Sequence, residues 1–265
     1  MVFLSSFKYI YLWLPIIGFI IAFFASMTGG GGGFFFLPVL TIFFSVPAKI
    51  AVATSLAATL PVCLASSLGH YRKGNVNLKV GLIFAISGII GALSGAAITH
   101  LMNSKQLKIC FGIYSIIIAF HMILTTRKKK KAELNGTCLP ELKNNKKIIR
   151  GSFYGLLSGI ITGAFGTSGT APVLTGLFDM RIPLKTVVGT SVLIVFVNTI
   201  SALGGHILVG DIDMTLVVFL TLGTIIGAIV GSKTFAGVEL EKAETNIRQW
   251  YAIAMIAFGI MMMIY

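Results

Sequence analysis

Acidic side chains are scarce in this 265-residue chain, with eight Asp and Glu against 21 Lys and Arg, and all charged residues together make up only 11%. A soluble domain carries about 25% charge, so a fully water-facing surface is excluded. The eight acids lie at positions 133, 141, 179, 211, 213, 239, 241 and 244. None falls in the core of an apolar run, where it would repel an anion or bind a cation. Cysteine is equally sparse. Cys63 and Cys110 lie in apolar runs and Cys138 in a polar loop. Three cysteines so placed form neither a disulfide framework nor a metal site, and no cofactor is called for. The first six residues lack the basic region and small-residue cleavage pattern of a signal peptide, so 10–26 reads as the first membrane segment.

Hydrophobic residues fill the space that charge leaves, at 56% of the chain. Apolar runs fall at 10–26, 34–44, 48–69, 78–99 and 107–125, then at 150–165, 171–178, 184–209, 213–235 and 247–265. Most approach the roughly 20 residues that cross a bilayer. The expectation is an all-α polytopic integral membrane protein with about 8–10 transmembrane segments and the lipid bilayer as its surroundings. The net charge of +13 would suggest nucleic acid in a soluble protein. Here the cations sit between apolar runs and serve as a topology signal, so nucleic-acid binding is not needed to explain them.

The runs at 34–44 and 171–178 are too short to span, and each follows a Gly-rich break. The first break is Met27-Thr28 followed by five glycines, Gly29 to Gly33; the second is Gly166-Thr167-Ser168-Gly169-Thr170. Each glycine gives up about 1 kcal/mol against alanine in a helix. Backbone freed at membrane depth must be buried in protein or face a water-filled cavity. Pro-Val-Leu-Thr follows both breaks, at 38–41 and 172–175. Paired interruptions in corresponding positions point to a transporter binding site built from discontinuous or re-entrant half-helices.

The two halves form an internal repeat. At an offset of about 136, Pro47, Lys49, Thr54, Ser55, Gly69, His70, Gly74, Gly91, Ala92 and Gly95 meet the same residue types at Pro183, Lys185, Thr190, Ser191, Gly205, His206, Gly210, Gly227, Ala228 and Gly231. The organisation expected is a first membrane repeat over 1–126, a basic cytoplasmic linker over 127–149 and a second repeat over 150–265. If each short run returns the chain to the side it came from, each half makes five passes or their equivalent. Seventeen of the 21 Lys and Arg then share one side, leaving Lys8, Lys49, Lys105 and Lys108 opposite. Four passes per half would give a weaker split of 13 to 8. The positive-inside rule favours five, and an odd number turns the second half upside down. The fold expected is therefore a 5+5 inverted-repeat helical bundle with both termini outside the cytoplasm.

The twin breaks, the segments Pro47-Ala48-Lys49…Thr54-Ser55 and Pro183-Leu184-Lys185…Thr190-Ser191, and the paired Gly-Ala-x-x-Gly motifs resemble the TauE/SafE family of membrane permeases. The similarity runs from about Phe19 to the C-terminus. It implies secondary transport of small sulfur oxyanions or organosulfur compounds, such as sulfite or sulfonates, in a bacterial-type cell (inner) membrane.

An anion is favoured independently of that resemblance. A half-helix opening at either break points orphan N–H groups and a positive dipole end into the membrane, and glycine admits close backbone approach. Candidate substrate contacts are Gly31, Gly32 and Gly33 in the first break, and Gly166, Thr167, Ser168, Gly169 and Thr170 in the second. Thr54, Ser55, Thr190 and Ser191 add hydroxyls within the third run of each half. Asn198 shares a helix face with Ser191 and faces Val62 in the repeat, so it breaks the symmetry. Lys49 and Lys185 either snorkel at the interface or steer anions at opposite mouths; His70 and His206 either cap segment ends or gate with pH. The Gly91/Gly95 and Gly227/Gly231 pairs read as helix-packing surfaces. Coupling to a proton gradient or to the membrane potential would serve equally. Two alternatives stay open: a passive anion channel, which wants the same dipoles and hydroxyls, and an intramembrane serine protease using Ser168 and His206. The charge split predicts that Cys138 is labelled by impermeant thiol reagents only from the cytoplasmic side. Labelling from outside intact cells, with Cys63 and Cys110 replaced, would contradict this topology.

Overall fold

The computed structural model describes residues 2–28, 33–134, 144–180, 182–234 and 240–265. Among them lie a 3-10 helix (Tyr9–Trp13) and ten α-helices: α1 (Leu14–Thr28), α2 (Gly33–Ile42), α3 (Ala48–Arg72), α4 (Leu78–Leu101), α5 (Ser104–Leu134), α6 (Asn144–Phe165), α7 (Thr170–Asp179), α8 (Leu184–Val209), α9 (Met214–Thr234) and α10 (Leu240–Ile264). Six stretches are long and apolar enough to cross a bilayer: Ala48–Arg72, Leu78–Leu101, Ser104–Leu124, Ile148–Phe165, Lys185–Leu208 and Met214–Gly231. The described residues are helical apart from loops and two short strands, β1 (Val2–Phe3) and β2 (Ile212–Asp213), which pair in parallel. Two residues are too few to show a strand period in the sequence.

Local chemistry sets the helix ends. Pro47 and Pro183 stand at the N-caps of α3 and α8 with φ of −53° and −52°, the value their rings enforce. Asn77 caps α4 by accepting from Val80 N at 3.2 Å. Asn103 and Gln106 exchange side-chain and backbone bonds of 2.8 and 2.9 Å at the start of α5, a reciprocal capping box. Within the stretch 127–149 read as a linker, α5 continues to Leu134 and α6 begins at Asn144. Lys, Arg, Ala, Glu and Leu dominate 127–134, and all are strong helix formers.

Glycine seams bring the helices together. A methyl on Gly91 would be driven into the Leu156 carbonyl and one on Gly95 into that of Ile160, while Gly159 and Gly163 face the backbone of Gly88 and Ala92. Helices α4 and α6 therefore run in the same direction in close contact. Helices α1 and α9 repeat this arrangement, with Gly223 against Pro15 and Gly227 against Phe19. In contrast, α3 and α8 run oppositely, since Gly189 near the start of α8 faces His70 near the end of α3. Helices α5 and α10 are also opposed: Lys108 lies over the Tyr265 ring, and Gly112 packs on Gly259 and Met263.

The short helices are enclosed by these longer ones. Phe34, Phe36, Leu37 and Leu40 of α2 belong to the largest apolar cluster. Val173 and Leu177 of α7 form a second with Phe84, Val187 and Ile194. The seams predict a contrast. Gly91→Leu and Gly227→Leu should sharply lower the melting temperature of the purified protein. Gly204→Ala, at a helical site with open space around it, should be neutral or add up to about 1 kcal/mol.

Candidate functional site

Between Phe165 and Thr170 the chain leaves helix while surrounded by protein. Gly166 and Gly169 take φ of +64° and +52°, left-handed values that a side chain would strain. Three of their backbone polar groups are given partners. Gly166 N donates to Thr162 O at 2.9 Å, and the Ser55 hydroxyl donates to Gly166 O at 2.9 Å. The Ser158 hydroxyl donates to Gly169 O at 2.8 Å and itself accepts from Asn198 Nδ2 at 3.1 Å. Thr170 Oγ1 and Ser168 Oγ lie 2.8 Å apart. Side chains from α3, α6 and α8 thus hold this turn at depth, as unpaired backbone in hydrocarbon requires.

Gly33, the last glycine of the first run, meets the second break. Gly31 and Gly32 lie outside the described residues, but Gly33 opens α2 and is buried. A methyl on Gly33 would stand 3.0 Å from the Thr59 hydroxyl and 3.3 Å from both Gly166 O and Ser168 N. The N-terminus of α2 is therefore packed against the turn that leads into α7. Orphan N–H groups and positive dipole ends favour negative charge at such a point. The surroundings are enclosed, since Ser55, Thr59, Ser158, Thr162, Thr167 and Ser168 are all buried. Within this cluster the Thr167 hydroxyl has no hydrogen-bond partner. The Tyr114 phenol approaches it without reaching hydrogen-bond geometry.

The remaining candidates are distributed more widely. Thr54 is buried on α3 with an unpartnered hydroxyl, as is Asn198 Oδ1 on α8. Thr190 accepts from Asn77 N at 2.9 Å, and Ser191 donates to its own helix at Val188 O at 2.8 Å. The two Thr-Ser pairs do not share one site. Ser55 lies beside Gly166, fifteen residues along α3 from His70, and His70 neighbours Gly189. That places the pairs roughly 20 Å apart along the bundle at 1.5 Å per residue. Opposed helix directions cause the separation, and a linear repeat carries no sign of them.

At the ends, Lys49 Nζ donates to His100 O at 2.8 Å, a cation at the negative end of α4. Lys185 is exposed. His206 is buried, with Nε2 2.7 Å from Gly163 O, so that nitrogen carries the hydrogen. Ser168 and His206 are not hydrogen-bonded to each other, because each is engaged elsewhere. The nucleophile–base contact of a serine protease is absent. The missing side chain of Gly169 faces Ser158 and Thr162. Thr59, Ser158, Thr162 and Tyr114 were not singled out from the sequence. Helical spacing offered a signal for three of them: Thr59 follows Ser55 by four residues, and Thr162 follows Ser158 by four.

The model of the sulfite exporter TauE/SafE family matches residues 14–262. The chain belongs to the TauE/SafE family. Two Bacillus subtilis relatives are named probable membrane transporter proteins. One, YdhB, is 28% identical over 82% of this chain and 87% of its own. The other, YunE, is 25% identical over 93% and 94%. A probable membrane transporter protein of Methanocaldococcus jannaschii is 27% identical over 72% of this chain and 70% of its own. No solved structure matches. As a TauE/SafE protein with several apolar helices, the chain is an integral multi-pass membrane protein of a transporter family.

The hydroxyls around the break predict opposite stability effects. Thr167→Val removes a buried unpartnered hydroxyl and should leave the melting temperature unchanged or raise it. Ser158→Ala strands both Gly169 O and the Asn198 amide and should cost about 1–3 kcal/mol. Thermal denaturation in detergent checks both.

Proposed function

We propose that this chain is a secondary transporter of a small anion, a sulfur oxyanion or organosulfonate such as sulfite. It works by alternating access around the junction of the two breaks. The observation that carries this reading is Gly33 at the head of α2 lying against Ser168 N and Gly166, beside the unpartnered Thr167 hydroxyl. Two helix N-termini, backbone N–H groups and hydroxyls make an environment for negative charge, with no carboxylate in the core of the apolar runs to oppose it. The name of the matched family, sulfite exporter, supports the sulfur chemistry.

Helix directions support a 5+5 inverted repeat. A half turned over relative to its partner must run its equivalent helices oppositely, and α3/α8 and α5/α10 do so. The α4/α6 contact of Gly91 with Leu156 has its counterpart in the α9/α1 contact of Gly227 with Phe19. In this reading one half rocks against the other, both termini lie outside a bacterial-type cell membrane, and a proton gradient or the membrane potential drives the cycle. Lys49 and Lys185 then attract anions at opposite mouths.

Flux into proteoliposomes containing the purified protein tests the proposal. The panel comprises sulfite, thiosulfate, methanesulfonate and sulfate. Saturable uptake of at least one, with counterflow from preloaded vesicles, is expected. Ohmic current without counterflow would mean a channel, and no uptake of any panel anion would overturn the assignment.

A further inference from the structure

Two tyrosines, one from each half, flank the junction of the breaks. Tyr114 on α5 stacks on Phe165, the last residue before the second break, with ring centroids 5.3 Å apart. It also faces Phe34, the residue after Gly33, at 6.4 Å. Tyr251 on α10 faces the same Phe34 at 6.2 Å and meets Phe35 edge-on at 4.8 Å. Tyr251 follows Tyr114 by 137 residues, within one of the repeat offset. The antiparallel pair α5 and α10 thus brings matching phenols to residues that border both breaks. The Tyr114 ring stacks on Phe165, two residues before Thr167, and has Thr167 and Tyr251 as electrostatic neighbours.

Both tyrosines are partly buried against the main apolar cluster. A Phe ring would serve the same ring contacts without a hydroxyl, so the hydroxyls call for a polar partner. Thr167, 1% exposed and unpartnered, is a second and independent polar group at the same spot. We infer that the Tyr114 and Tyr251 hydroxyls, with that of Thr167, are hydrogen-bond donors to the oxygens of the transported oxyanion. They close the side of the site that the two helix N-termini leave open. The inference rests on the transport reading above and assigns its binding groups to α5 and α10. An uncharged phenol donates to any oxyanion without trapping it, which suits a site that must also release its load.

Tyr114→Phe and Tyr251→Phe keep the rings and remove only the hydroxyls. The panel anion that the unaltered protein takes up best is the probe, and uptake and melting temperature are measured on the same preparations. The expected result is a KM raised about tenfold or more by Tyr114→Phe, the size of one hydrogen bond to a charged group, at unchanged melting temperature. Tyr251→Phe should act in the same direction, and the double variant more strongly. KM within twofold of the unaltered protein in both single variants overturns the inference while leaving the transport reading intact. A KM change that appears only together with a lowered melting temperature also overturns it, as a packing role. If the unaltered protein transports no panel anion, both readings fall.

Discussion

Hydrocarbon offers no partner to a peptide group, and this architecture is arranged around satisfying that demand at the one described interruption inside the bundle. Long helices meet it internally. The turn over 166–169 cannot, so Ser55 comes from α3 and Ser158 from α6, the Thr162 carbonyl accepts from Gly166 N, and Asn198 supports Ser158 from α8. Helix α6, which carries Ser158 and runs into the turn, lies backbone to backbone against α4 along Gly91, Gly95, Gly159 and Gly163. A single methyl along that seam would push the supporting helices apart. The glycines that look dispensable by helix propensity are therefore what holds α6, and the turn that follows it, close against α4.

The two halves share a framework and differ in polar content. Thr54-Ser55 has its counterpart in Thr190-Ser191, yet Ser55 holds the second break while Thr190 receives the amide that opens α4. Thr59 of the first half corresponds to Val195, and Asn198 of the second to Val62. The junction consequently draws on unequal groups from either side. A carrier built from inverted halves exchanges its two faces as it rocks, and unequal linings would let inward and outward states hold the substrate with different strength.

Much of the fold was legible because it is local. The runs at 34–44 and 171–178 became α2 and α7 within a residue or two, and prolines at 47 and 183 marked the starts of α3 and α8. Periodicity and capping are properties of neighbouring residues, so the sequence displays them directly. The site was legible only in part. Gly33, Ser55, Gly166, Thr167 and Ser168 do gather, but Thr190 and Ser191 lie at another depth because α3 and α8 are opposed. The tyrosines escaped notice because nothing in a linear reading places α5 and α10 beside Phe34 and Phe165.

The central claim is that an oxyanion rests where the head of α2 meets the turn before α7. A crystal structure of the protein grown with selenite in place of sulfite would test it, using the anomalous signal of selenium to locate the anion. The account predicts one selenium peak within hydrogen-bond distance of Ser168 N and the Thr167 hydroxyl. A peak confined to the helix ends near Lys49 or Lys185, or none at saturating selenite, would contradict it.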